Sequence, residues 1–264
     1  MRFHKPLLLT GTLIIITLVS FTLLEKSSSR SLSYSEVESA EDVSMDEQQM
    51  SIFESAYDRK ARELANWQRP DVPFTVALQA GHWKASEAPD EFPNLKQNTG
   101  TSGGGKYEWE INLEIAEKTK ALLEAQGVEV EILPATIPPE YWADLFIAIH
   151  ADGNADTSVT GYKAAAPRRD LSGHAAEFVT LLEAEYEAAT GLVYDPNVTR
   201  NMRGYYAFNW RRYVHSLHPK TVAVILETGF LTNPLDRRII VKDQKKAVEG
   251  IAGAVVKWKE QMGL

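Results

Sequence analysis

Residues 145–150 read LFIAIH, an apolar run closed by a histidine. Such a run, short and rich in β-branched residues, is the signature of a strand buried on both faces. Two others match it. Residues 75–82 read TVALQAGH, and residues 222–227 read VAVILE. Strands of this kind belong to open, mostly parallel α/β sheets, which bind ligands just outside the carboxyl ends of their strands. Three strand ends would therefore deliver His82, His150 and Glu227 to one sheet edge.

The flanking segments supply the rest of that fold. Residues 74–80, 128–133, 144–150, 162–166 and 221–227 read as strands. Residues 108–126, 172–190 and most of 235–262 carry helical periodicity, the first two stopped by Gly127 and Gly191. Strands alternating with helices predict an α/β three-layer sandwich, with a mostly parallel central sheet and helices on both faces. The loop 81–107, rich in Gly, Pro, Ser and Asn, is long enough to be functional.

Composition narrows the chemistry. The formal net charge of −8 argues against a general nucleic-acid binder. The chain has no cysteine, which excludes disulfides, thiolate metal sites and a cysteine nucleophile. A metal would have to be held by His, Asp or Glu, and only six histidines are present.

The N-terminal quarter is organised differently. Residues 1–5 carry Arg2 and Lys5 and read as a cytoplasmic tip; residues 6–24 carry no charge and are mostly apolar. Helical geometry gives that run about 28 Å, close to a bilayer core. It lacks the small-x-small ending of a cleaved signal peptide, so an uncleaved transmembrane anchor is the preferred reading, with a signal peptide the alternative. Either way the remainder is expected outside the cytoplasm. Residues 25–70 form an acidic, Ser-rich tether. Within it, residues 50–67 place Met50, Phe53, Tyr57, Leu64 and Trp67 on one helical stripe. A helix lying on the following domain is expected there, with a self-associating helix the alternative. Residues 71–264 form the globular domain.

Each candidate residue has an ordinary reading beside the functional one. His82 could be a loop histidine, and His150 a satisfied core histidine. Glu108 follows Gly103-Gly104-Gly105-Lys106-Tyr107, and an acidic first helical turn is favoured by the helix dipole anyway. Glu110 and Glu114 compete for the same role. Glu227 could pair with Arg237 or Arg238. A carboxylate closing a buried strand is costly unless paired, near a metal or protonated, which makes it a candidate proton carrier. His174, His215 and His218 read as surface residues. Asp152 and Asn154 are weak candidates for substrate contact, and Tyr205, Tyr206, Asn209 and Trp210 for a glycan or peptide groove.

The set as a whole resembles the zinc-dependent N-acetylmuramoyl-L-alanine amidases of the Amidase_3 family. The resemblance rests on Gly81-His82, on Glu108-Trp109-Glu110-Ile111-Asn112-Leu113-Glu114-Ile115-Ala116, on Ala148-Ile149-His150-Ala151-Asp152, and on Glu227-Thr228-Gly229-Phe230-Leu231-Thr232-Asn233. It covers roughly residues 74–262. It implies zinc held by His82, Glu108 and His150, with Glu108 chosen over Glu110 by register, and Glu227 as the catalytic carboxylate. It further implies peptidoglycan as substrate, cut at the amide between the lactyl group of N-acetylmuramic acid and L-alanine. Departures fall in the cleft. Gln79-Ala80 stands where the family carries an Asp, the 83–105 loop lacks the family's Gly-Gly-x-Asp, and residues 134–143 (PATIPPEYWA) replace a helix. Those departures keep open a zinc peptidase or amide hydrolase acting on another exported substrate; a catalytically silent wall-binding module is a further alternative, against which the intact set of His82, Glu108, His150 and Glu227 argues.

Overall fold

The run at 145–150 becomes the middle strand of a five-stranded sheet in a computed structural model that describes residues 55–264. The strands are β1 (Thr75–Ala80), β4 (Glu129–Leu133), β5 (Leu145–Asp152), β6 (Lys163–Ala165) and β7 (Val222–Phe230). Two residue-pair strands, β2 (Ser102–Gly103) and β3 (Lys106–Tyr107), make a separate small hairpin. The central sheet runs β4-β1-β5-β7-β6. All its pairings are parallel except β6 with β7. Leu145, Phe146, Ile147, Ala148 and Ile149 of β5 are all fully buried, which explains an unbroken apolar run where a half-exposed strand would alternate.

The two faces of the sheet are covered unequally. On the first, Val76, Leu78, Leu145, Ile147, Ile149, Val224 and Leu226 pack against three long helices. These are α2 (Glu108–Glu124), α3 (Ala175–Thr190) and α5 (Lys245–Met262). On the second face, Ala77, Phe146, Ala148, Ala223 and Ile225 meet Ile137, Met202, Ala207, Phe208 and Leu217 instead. That cover is mostly irregular chain, with one four-residue helix, α4 (Arg200–Arg203), and one 3-10 turn, Tyr206–Phe208. The mostly parallel sheet flanked by helices is thus as expected, but the expected helix layer on both faces is not: among the described residues the three long helices all pack on one side.

Topology accounts for the asymmetry. Right-handed crossovers put the β1-α2-β4 connection on one face and oblige the return from β4 to β5 to cross the other. That return is residues 134–144, whose three prolines forbid a helix interior. Above β7 the second face is left to residues 198–218. The functional side chains lie on this thinly covered face. His150 follows Phe146 and Ala148, and Glu227 follows Ala223 and Ile225, at the two-residue period of a strand.

Ahead of the sheet lies α1 (Ala56–Glu63), capped by Ser55, which accepts from Asp58 N–H at 3.2 Å. It falls within the helix expected over 50–67, of which residues 50–54 lie outside the described residues, as does the apolar segment 6–24. The chain after α1 is pinned to the domain. Arg69 donates to both carboxylate oxygens of Asp144, at 2.6 and 2.9 Å, and Trp67 packs on Trp142 and His218. Tyr57 donates to the carbonyl of Asp170 at 3.2 Å. These contacts support a helix lying on the domain, and they carry the folded unit upstream of residue 71. Among the described residues, no helix is long and apolar enough to cross a membrane.

Candidate metal centre and active site

β1 ends at Ala80, and Gly81 carries the ladder one step further by donating to Ile149 O at 2.9 Å. A Cβ on Gly81 would stand 2.4 Å from the His150 ring, so only glycine lets that ring cross the strand end. His82 then turns back with φ of 63°, a left-handed conformation that costs a non-glycine residue strain. Its Nδ1 lies 3.0 Å from Asn98 O, which fixes Nδ1 as the protonated nitrogen and leaves the Nε2 lone pair free. Burial lowers the pKa of His82, with Glu108 opposing, so the ring is held neutral.

Glu108 opens α2. Its carboxylate is shared between a backbone cradle and the histidines. Oε2 accepts from Thr101 N–H at 2.8 Å. Oε1 faces Asn112 Nδ2 (3.3 Å), Ala151 N–H (3.2 Å), His150 Nδ1 (3.0 Å) and His82 Nε2 (3.4 Å). Gly100, at φ of 75°, lets the loop close on this carboxylate; a Cβ there would sit 2.3 Å from Oε2. The competing glutamates are otherwise engaged. Glu110 accepts from Tyr107 N–H at 2.8 Å as a helix cap, and Glu114 binds Lys106 and Gln244.

His150 is buried between Glu108 and Tyr205, whose hydroxyl is 3.3 Å from its Nε2. Burial disfavours the charged ring, but the Glu108 hydrogen bond and charge outweigh it, so its pKa is raised. Burial likewise opposes ionisation of Glu108, and His150 overcomes it, so that carboxyl is held below its ordinary value. His82, Glu108 and His150 each offer a ligand atom, and these atoms all lie within 4.8 Å of one another. They come from three separate elements: a strand end, a helix start and a neighbouring strand.

Glu227 pairs in register with His150 on one side and Lys163 on the other. Its strand runs on to Phe230, with a bulge where Asp152 pairs with Phe230, so β7 spends an extra residue at Thr228-Gly229. Bulges re-aim side chains beside active sites. Among the described residues no hydrogen bond or ion pair reaches the Glu227 carboxylate; Arg237 donates instead to Leu231 O at 2.9 Å. Burial is the main cause that pushes its pKa up to about 8, helped by Glu108 and Asp152 and opposed by His150.

The sequence matches the Amidase_3 family, N-acetylmuramoyl-L-alanine amidase, over residues 76–257. The chain belongs to that family. It is accordingly an enzyme of the N-acetylmuramoyl-L-alanine amidase class. No curated protein shows a significant match to it. Solved amidases share its fold. The N-acetylmuramyl-L-alanine amidase Ami1 of Mycobacterium smegmatis is 15% identical with a TM-score of 0.52, covering 71% of this chain and 97% of its own. The N-acetylmuramoyl-L-alanine amidase of Clostridium difficile 630 is 18% identical with a TM-score of 0.50, over 71% and 97%. The apo form of Ami1 from Mycobacterium abscessus is 16% identical with a TM-score of 0.50, over 71% and 99%.

The remaining candidates fall into two groups. Asp152 is bound to the buried Lys163 at 2.6 Å, and Lys163 also holds Asp195 at 2.9 Å. Asn154 is exposed and accepts from Asp156 N–H at 2.9 Å within its own turn. His215 binds Glu91 at 2.9 Å, and His174 and His218 lie against aromatic rings away from the three clustered residues. Tyr205 stands nearer the chemistry than composition alone suggested. Its hydroxyl donates to Gln79 Oε1 at 2.8 Å, and Gln79 Nε2 in turn donates to Tyr206 and to the carbonyls of Pro134 and Ala135. Gln79 therefore ties the β4–β5 return and the 205–206 segment to the site. Asn112 was the one partner with a sequence signal, four residues after Glu108 on the same helical face.

Proposed function

We propose that the protein is a zinc-dependent amidase that cleaves peptidoglycan between the lactyl group of N-acetylmuramic acid and L-alanine. The observation that carries this reading is the convergence of two imidazoles and one carboxylate beside a half-buried glutamate with no hydrogen-bond partner among the described residues. Two histidines and a glutamate suit zinc, and three protein ligands leave a position for chemistry. His82, Glu108 and His150 would hold the ion, which supplies Lewis acidity toward the scissile carbonyl when bound. Asn98 O fixes the tautomer of His82, and Thr101 N–H fixes the rotamer of Glu108. Glu227, free of hydrogen bonds, takes a proton from the attacking water and returns it to the leaving amine of L-alanine. Burial raises that carboxyl's pKa in the metal-free protein, and the charge of a bound ion would draw it back down toward the neutral range, where it can both take up and return a proton.

The location we propose agrees with the substrate. Residues 6–24 as an anchor and 25–70 as a tether would hold the enzyme outside the cytoplasm, beside the wall. The test is Glu227→Gln in the full chain. Stoichiometric zinc with turnover of wall material lowered at least about 100-fold is expected. Normal turnover in that variant would remove Glu227 from the mechanism.

A further inference from the structure

A cavity of about 170 Å³ shares one residue, Tyr205, with the surroundings of the clustered histidines. Its walls include Arg168, Arg169, Arg203 and Arg211, with the rings of Tyr205 and Trp210. No acidic residue lines it. All four arginines are exposed, and among the described residues none has a side-chain hydrogen bond or ion pair. That is unusual in a chain of net charge −8, where acidic partners are plentiful. Four guanidinium groups held together repel one another unless an anion sits between them. The backbone holds two of them side by side, since Arg168 N–H donates to Arg203 O at 2.9 Å. Tyr205 is common to both sites: its ring lines the cavity, and its hydroxyl lies 3.3 Å from His150 Nε2.

Resting on the amidase reading, we infer that this cavity is a specificity subsite for carboxylates of the stem peptide, favouring stems with a free acid at the residue after L-alanine. Arginine is the side chain that matches a carboxylate with two parallel hydrogen bonds. Two extended residues span roughly 7 Å, the scale of the single tyrosine that separates the clustered ligands from the cavity. Tyr205 and Trp210 supply apolar walls that lower the local dielectric and strengthen the pairing.

The test compares two soluble muropeptides that differ only in whether the second stem residue carries a free carboxylate or a carboxamide. Full-length, zinc-loaded protein and its R203Q/R211Q and R168Q/R169Q variants are assayed on both. Wild type is expected to prefer the acid form by about tenfold in kcat/KM, through KM, with the preference shrinking as salt rises. Each double variant should lose that preference while cleaving the amide form at the wild-type rate. Equal use of both forms by wild type, or an equal loss on both in the variants, would overturn the subsite. Calorimetric binding of the free stem peptides, acid and amidated, separates this claim from the amidase reading. If neither muropeptide is cleaved, a wild-type preference for the acid peptide that the variants lose still supports the cavity, and its absence refutes it. Displacement of neither peptide by the other, with tight binding of inorganic phosphate, would make it a phosphate site and equally refute the proposal.

Discussion

Glu108, Glu110 and Glu227 are the same residue type set to three tasks by their surroundings. Glu110 caps a helix in solvent reach. Glu108 is cradled by Thr101 N–H and drawn into its ionised form by two histidines. Glu227 has neither cap nor cradle, and burial pushes its pKa up to about 8 from 4.5. A raised carboxyl pKa stabilises the fold below the ordinary value and loses that contribution as pH rises through the folded value. Metal-free wild type should therefore lose stability against Glu227→Gln between about pH 4.5 and 8, by at most about 5 kcal/mol since solvent reaches part of the side chain. Urea unfolding at pH 5 and pH 9 measures it; a constant difference between the two proteins would refute the shift. At Tyr205, replacement by Phe removes the hydroxyl beside His150 and its bond to Gln79. A roughly tenfold loss of kcat/KM with zinc content unchanged is expected, the usual cost of releasing a ligand's outer partner. Unchanged kinetics would make Tyr205 a wall and nothing more.

At the scale of elements, the strands were legible because burial on both faces leaves unbroken apolar runs, and His82 and His150 were legible because two of those runs lead into them; Glu108 opens a helix and was picked out only by the register of the family resemblance. The irregular cover of the second face was not legible. Residues 134–144 make the crossover without a helix, and the cover above β7 comes from residues 198–218, whose packing depends on partners far away in sequence. Gln79 and Tyr205, separated by 126 positions, meet only in three dimensions. Arg69, which falls within the tether in sequence, is bound to Asp144, 75 positions further on. Arg69→Ala should therefore speed proteolytic cleavage between α1 and β1 several-fold without lowering thermal stability by more than about 3 kcal/mol. Limited proteolysis with mass spectrometry reads this directly, and an unchanged cleavage rate would mean the pin holds nothing. Within the sheet, Ile147→Ala on the fully buried β5 should cost about 2–5 kcal/mol in urea unfolding. A loss below 1 kcal/mol would be inconsistent with the burial seen there.

For the whole molecule, the three proposed ligands, just past the end of β1, at the start of α2 and on β5, would make metal binding a clasp across the sheet edge. Zinc at 100 times its dissociation constant should add about 2.7 kcal/mol to stability, so a chelator should lower the unfolding temperature by several degrees. No shift on chelation would mean that the three residues do not share an ion in the folded protein. The central claim is more specific than metal binding, because it names a bond. Purified peptidoglycan digested with the zinc-loaded full chain should release stem peptides beginning with a free N-terminal alanine, identified by mass spectrometry, and Glu227→Gln should release none. Soluble fragments in which alanine remains joined to the lactyl group, or equal release by the variant, would contradict the account.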